Sequence, residues 1–209
     1  MTKKLLSAVL TAALTLTTIN MAKAEPAKPA TVAILDTAVN AKLPEFKDKI
    51  IQEVCILEWN SCANGQNYME GPGAASMPIK QMIVNGFDHG TKMTSTQVIT
   101  NPNIKIVFIR IVGATPTGIR QSVNEATFSK AFNGVITNKD KYNIQAVAMS
   151  QAIGNFAPGS NYCPVLQSVT TAINTLDTVV SSSASSVIEG SGITKTSSVV
   201  FSSKTLNKS

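Results

Sequence analysis

Three short runs rich in β-branched residues punctuate the chain: Thr31 to Leu35, Ile104 to Val112 and Ile144 to Met149. Segments of helical period stand between and after them. Apolar runs this short suit strands buried on both faces. His89 to Val98 reads as a helix, stopped before Pro102. Phe128, Ala131, Phe132, Val135 and Ile136 fall at i, i+3, i+4, i+7 and i+8, one face of a helix. Ser122 with Glu125 three residues on reads as its capping box. Pro164 suits a helix's first turn, and Val165, Val169, Ala172, Ile173 and Leu176 continue at helical spacing. Strand alternating with helix predicts an α/β fold: a parallel sheet with helices on both faces. Lys42 to Ile51 is polar with scattered apolar residues. Residues 60–78, with their Asn, Gly and Pro, read as loop.

The two ends differ from this pattern. Lys3 and Lys4 precede an uncharged, mostly apolar stretch from Leu5 to Ile19, and Ala22-Lys23-Ala24 follows as a small-x-small site. That is the pattern of a secretory signal peptide, residues 1–24, cleaved after Ala24. The stretch is short for a bilayer span of roughly 20 residues, and no later segment is long and apolar enough, so no membrane span is expected. Residues 25–30 form a short linker to the domain at 25–176. Residues 177–209 hold 11 Ser and 4 Thr among 33 residues. They lack helical period and clear alternation, and predict a poorly packed tail.

Charge excludes some partners. The formal net charge is +6 with 18 basic and 12 acidic residues; three of the basic residues and no acid lie in 1–24, which leaves +3. That is too little to argue for nucleic acid or anionic lipid. Of the three cysteines, Cys55 and Cys62 are close, with a Gly/Asn-rich stretch (Asn60, Asn64, Gly65) around the second, so an exported chain could bridge them in a surface loop. Zinc is disfavoured, because the C-x6-C spacing and a single distant His do not supply four ligands. Cys163 is left over.

Asp36 ends the first strand, where open α/β sheets gather their chemistry. An Asp there is often a turn residue, and the lone His89 is by itself uninformative. Their contexts together say more. Val32-Ala33-Ile34-Leu35-Asp36-Thr37-Ala38-Val39 resembles the Asp motif of the subtilisin-like serine proteases. His89-Gly90-Thr91-Lys92-Met93 resembles their His motif. Ile109 to Gly118 resembles the family's central strand with the Gly-containing segment that pairs with bound peptide. Ala146-Val147-Ala148-Met149-Ser150 resembles the strand that walls the specificity pocket. Order and spacing fit over about residues 31–176.

The resemblance implies an incomplete subtilisin-like sheet. It implies Asp36 and His89 as catalytic residues, Gly118 and Ser150 as substrate-binding residues, a protein or peptide substrate, no cofactor and an exported chain. Peptide hydrolysis by Ser needs a base with a pKa near neutrality, which His supplies. A carboxylate fixes its tautomer and offsets its developing charge. The two side chains are then expected within about 2.6–3.2 Å of each other. Gly90 would allow close backbone approach, and Thr91 would serve free backbone groups of the first helical turn.

The sequence departs from the family at Ala38, Thr94, Ala148, Gln151 and Ala152. It also holds no Gly-Thr-Ser-x-Ala-x-Pro nucleophile segment. Gly73-Ala74-Ala75-Ser76-Met77-Pro78 imitates that segment but precedes His89, out of the family's order. The expectation is a protease chain truncated before its Ser, with a break in the reading frame near residue 177, inactive as it stands and poorly soluble. The alternative is a secreted, non-catalytic binding or structural protein that reuses the fold. A nucleotide-binding domain fails for want of a Gly-rich phosphate loop after the first strand.

Overall fold

The computed structural model describes residues 28–115, 117–119, 123–151, 179–186 and 195–202. Residues 1–24, read as a signal peptide, Ser122, the helix read over 165–176 and Cys163 lie outside the described residues.

The first strand, β1, runs Thr31–Asp36 with all six residues buried. It is followed by β2 (Ile50–Ile56), β3 (Tyr68–Glu70), the short helix α1 (Ile79–Val84), α2 (His89–Thr100) and β4 (Lys105–Arg110). Then come α3 (Glu125–Tyr142), β5 (Ile144–Met149), β6 (Val179–Ser186) and β7 (Lys195–Ser202). The strands form one sheet in the order β3-β2-β4-β1-β5-β6-β7. The inner five are mutually parallel, while β3 and β7 close the two edges antiparallel. The α/β class read from the alternation of strands and helices is the class observed.

Strand alternation divides the core in two. Ala33 and Leu35 of β1 and Val107 and Ile109 of β4 face one side, where they meet Phe128, Ala131, Phe132 and Val135 of α3. Val32 and Ile34 with Ile106 and Phe108 face the other side, against Val98 of α2 and Phe46. Each face of the sheet is therefore covered by a helix, as parallel sheets require.

Four local readings are corrected. The N-cap of α3 is Asn124, whose side chain accepts from Thr127 N at 2.8 Å. Glu125 is thus the first helical residue, and the expected capping box from Ser122 does not set the start. Residues 50–56, given no strand in the sequence reading, form β2. Gln52 and Glu53 had interrupted its apolar run, but the Glu53 carboxylate is satisfied by Gly73 N at 3.0 Å and Ala75 N at 3.1 Å. The loop read over 60–78 contains the three-residue strand β3. Within 177–209, read as a poorly packed tail without clear strand alternation, β6 pairs with β5 and β7 pairs with β6. Backbone pairing to an existing sheet edge does not need an apolar period.

Candidate functional site

Asp36 is the last residue of β1 and His89 the first of α2, and the local sequence holds these two ends together. The Thr37 hydroxyl donates to Phe87 O at 2.8 Å and accepts from Gly90 N at 2.9 Å. It thereby uses one orphan N–H of the first helical turn and ties that turn to the end of β1. Ala38 N adds a bond to Phe87 O at 3.2 Å. Gly90 is required by contact: a Cβ there would stand 2.6 Å from Ala38 O and 2.7 Å from Phe108 Cζ. Thr91 has a different partner from the one expected. Its hydroxyl accepts from Asn40 N at 3.0 Å, so it holds the loop after β1 rather than the helix's own backbone. Thr94, one of the departures, is fully buried and donates to Gly90 O at 2.8 Å.

The result is a close carboxylate–imidazole pair. His89 Nδ1 lies 2.8 Å from Asp36 Oδ1 and 3.0 Å from Oδ2, inside the expected reach. Asp36 is 1% exposed, whereas the His89 side chain is 38% exposed. Two further donors converge on Oδ1: Thr37 N at 2.6 Å and Gln151 Nε2 at 3.0 Å. Three donors hold this buried carboxylate in a fixed orientation. It accepts the proton of Nδ1, which selects the tautomer whose Nε2 carries the basic lone pair.

Ser150 lies beside this pair. It lines a narrow crevice with Asp36, Met93 and Gln97, and its hydroxyl approaches Met93 Sδ at 3.9 Å. Gly118 lies elsewhere. It takes φ +82° in a turn closed by Gly118 N to Thr115 O at 2.8 Å, on the wall of a groove lined also by Trp59 and Arg110. Ser76 is on that groove too, and its hydroxyl reaches Val39 O at 3.4 Å. Among the described residues, Asp36, His89, Gln151 and Ser150 thus cluster, and Gly118 stands apart from the pair's hydrogen-bond network.

Gln151 was noted in the sequence only as a departure, with no hint that it would reach Asp36 across 115 positions. Arg110 was passed over as well. Its signal was a cation at the end of a continuous apolar strand, and it proves only 2% exposed. Cys55 and Cys62 form a disulfide, as their spacing allowed. Among the described residues no helix is long and apolar enough to cross a membrane, and no group of three or more His, Cys, Asp or Glu could hold a metal ion. Comparison of the sequence with models of known protein families and with curated proteins finds no match.

Proposed function

We propose that the chain carries the Asp–His half of a subtilisin-like serine peptidase site, with Asp36 orienting His89 as the base for a serine nucleophile. The observation that carries the reading is the 2.8 Å contact between a buried carboxylate and a half-exposed imidazole at adjacent strand and helix ends. A general base needs this orientation and access. The substrate class is a peptide, and Ser150 beside the pair would help to wall its binding cleft. The sequence contains no Gly-Thr-Ser-x-Ala-x-Pro segment, so these 209 residues alone are inactive in peptide hydrolysis. The leader-like residues 1–24 and the disulfide support an exported protein.

Two measurements test this. A fluorophosphonate probe, which labels an activated Ser, leaves the purified chain unlabelled; stoichiometric labelling at Ser76, Ser95 or Ser150 would overturn the assigned inactivity. In proton NMR, the His89 Nδ1 proton gives a downfield resonance that Asp36→Asn abolishes. A spectrum unchanged by that substitution would remove the pair and the reading with it.

A further inference from the structure

A second concave region lies on the sheet beside the Asp–His pair, and its chemistry is different. Arg110 ends β4, in register with Asp36 of β1 and Cys55 of β2. Alternation puts its side chain on the face of Ile106 and Phe108. The guanidinium donates from Nε to Val112 O at 3.2 Å and from Nη1 to Ser76 O at 3.2 Å. Two carbonyls occupy only part of its five N–H groups. The ion pairs found among the described residues, His89–Asp36 and Lys92–Asp88, do not include Arg110. Glu53, the buried acid of β2, is taken up by Gly73 N and Ala75 N. Burial with no acid beside it draws the Arg110 pKa down to about 10.

This cation forms part of the floor of a groove of about 1000 Å³. None of the described residues lining it is acidic. Trp59, 61% exposed, stands on one wall, and the turn of Thr115, Thr117 and Gly118 forms another. Ser61 also lines the groove, and its hydroxyl is buried without a hydrogen-bond partner. A buried cation without a counter-charge and a buried hydroxyl without a partner are both costly. Their occurrence on one groove is explained if an anionic group completes both.

We propose that this groove binds a carboxylate-bearing peptide segment, with Arg110 receiving the carboxylate, Ser61 donating to it and Trp59 covering the adjoining apolar part. The volume far exceeds that of an inorganic anion, and the exposed indole favours an organic ligand. The site uses neither Asp36 nor His89, but it shares Gly118 with the peptide-pairing segment of the peptidase reading and in that respect rests on it. Absence of a preference for an acid in the unsubstituted chain fails this proposal alone, whereas an unaltered His89 resonance in Asp36→Asn fails the peptidase reading.

Titration calorimetry on the full chain tests it with three blocked peptides. Acetyl-Ala-Ala-Ala presents a C-terminal carboxylate, acetyl-Ala-Glu-Ala-amide an acidic side chain, and acetyl-Ala-Gln-Ala-amide no charge. At least one acid binds, and the neutral peptide binds at least about tenfold more weakly, as expected for loss of a charged hydrogen bond. Whichever acid binds identifies the source of the carboxylate. Quenching of Trp59, the sole Trp, follows the same isotherm. Arg110→Met abolishes the preference for the acid. If that variant lacks a cooperative thermal transition, Trp59→Ala replaces it: the acid then binds more weakly than to the unsubstituted chain yet keeps its lead over the neutral peptide. Equal binding of acid and neutral peptides, no binding of either acid at millimolar concentration, or an Arg110→Met protein that retains the preference would overturn the proposal. So would a Trp59→Ala protein with undiminished affinity.

Discussion

Gly90 shows how little room surrounds the Asp–His pair. Its Cα lies where the first turn of α2 passes over Ala38 O and the Phe108 ring. A methyl group cannot be accepted by a shift of a flexible side-chain end alone, because the nearest atom is backbone. Gly90→Ala therefore displaces the start of the helix and His89 with it. We expect a loss of about 1–3 kcal/mol in urea-induced unfolding, the usual cost of overpacking. The His89 Nδ1 proton resonance should shift in the same variant. Loss of stability with an unmoved resonance would show that the strain is absorbed away from the pair. Glu53 and Arg110 follow another logic at this scale. Both are buried charges in strands, but Glu53 spends its two oxygens on the N–H groups of the 73–75 loop, whereas Arg110 keeps donors in reserve.

The helix α3 is the element that closes one face of the sheet. Its buried face is the one spaced in the sequence, Phe128, Ala131, Phe132 and Val135, with Ile136 partly buried. It ends at Asn143, which takes the left-handed conformation (φ 52°, ψ 48°) and returns its N–H to the carbonyls of Asp140 and Lys139. Lys139 and Lys141 occupy the last turn, where a cation complements the carbonyl end. The strand β5 starts at the next residue, so this stop sets which residues pair with β1. We expect Phe132→Ala to cost about 3–5 kcal/mol, the range for a buried aromatic, and Asn124→Ala about 1 kcal/mol for the lost cap. Parallel thermal melts of the two variants measure the difference. Equal losses would contradict the view that burial, more than capping, holds the helix to the sheet.

At the scale of the molecule, charge and polarity collect at the carboxyl ends of the parallel strands, where helices cannot cover the backbone. Asp36 at the end of β1, Arg110 at the end of β4 and Ser150 just beyond β5 lie side by side in the sheet order. The Cys55–Cys62 disulfide pins the segment after β2 against that same end of the sheet, in a small core with Leu57 and Ala74. Closing a loop this short is worth about 2.5 kcal/mol on the chain-entropy account. Replacing both cysteines with Ser should reduce stability by about that amount in denaturant titration. It should also weaken binding at the Arg110 groove, since Trp59 and Ser61 lie within the bridged loop. A double variant of unchanged stability would show that the loop is held by its packing alone.

The sequence by itself determined the fold class and the core faces, because both depend on local periodicity: β1 and β5 begin and end close to their apolar runs, and α3 buries the face that its spacing marks. It also singled out Asp36 and His89, whose neighbours carry recognisable motifs. Their 2.8 Å contact joins residues 53 positions apart; no local periodicity encodes such a distance, and it was expected only through the resemblance of the two motifs. Tertiary structure alone decided that Gln151 reaches Asp36, that Thr91 serves the loop after β1, and that Glu53 finds backbone donors inside a strand. It also decided that the Ser-rich segment pairs with β5, since an open sheet edge offers hydrogen bonds to any backbone that can extend alongside it. The physical reason is common to all four. Periodicity reports which side of an element is buried, while hydrogen-bond partners are chosen only after distant elements have packed.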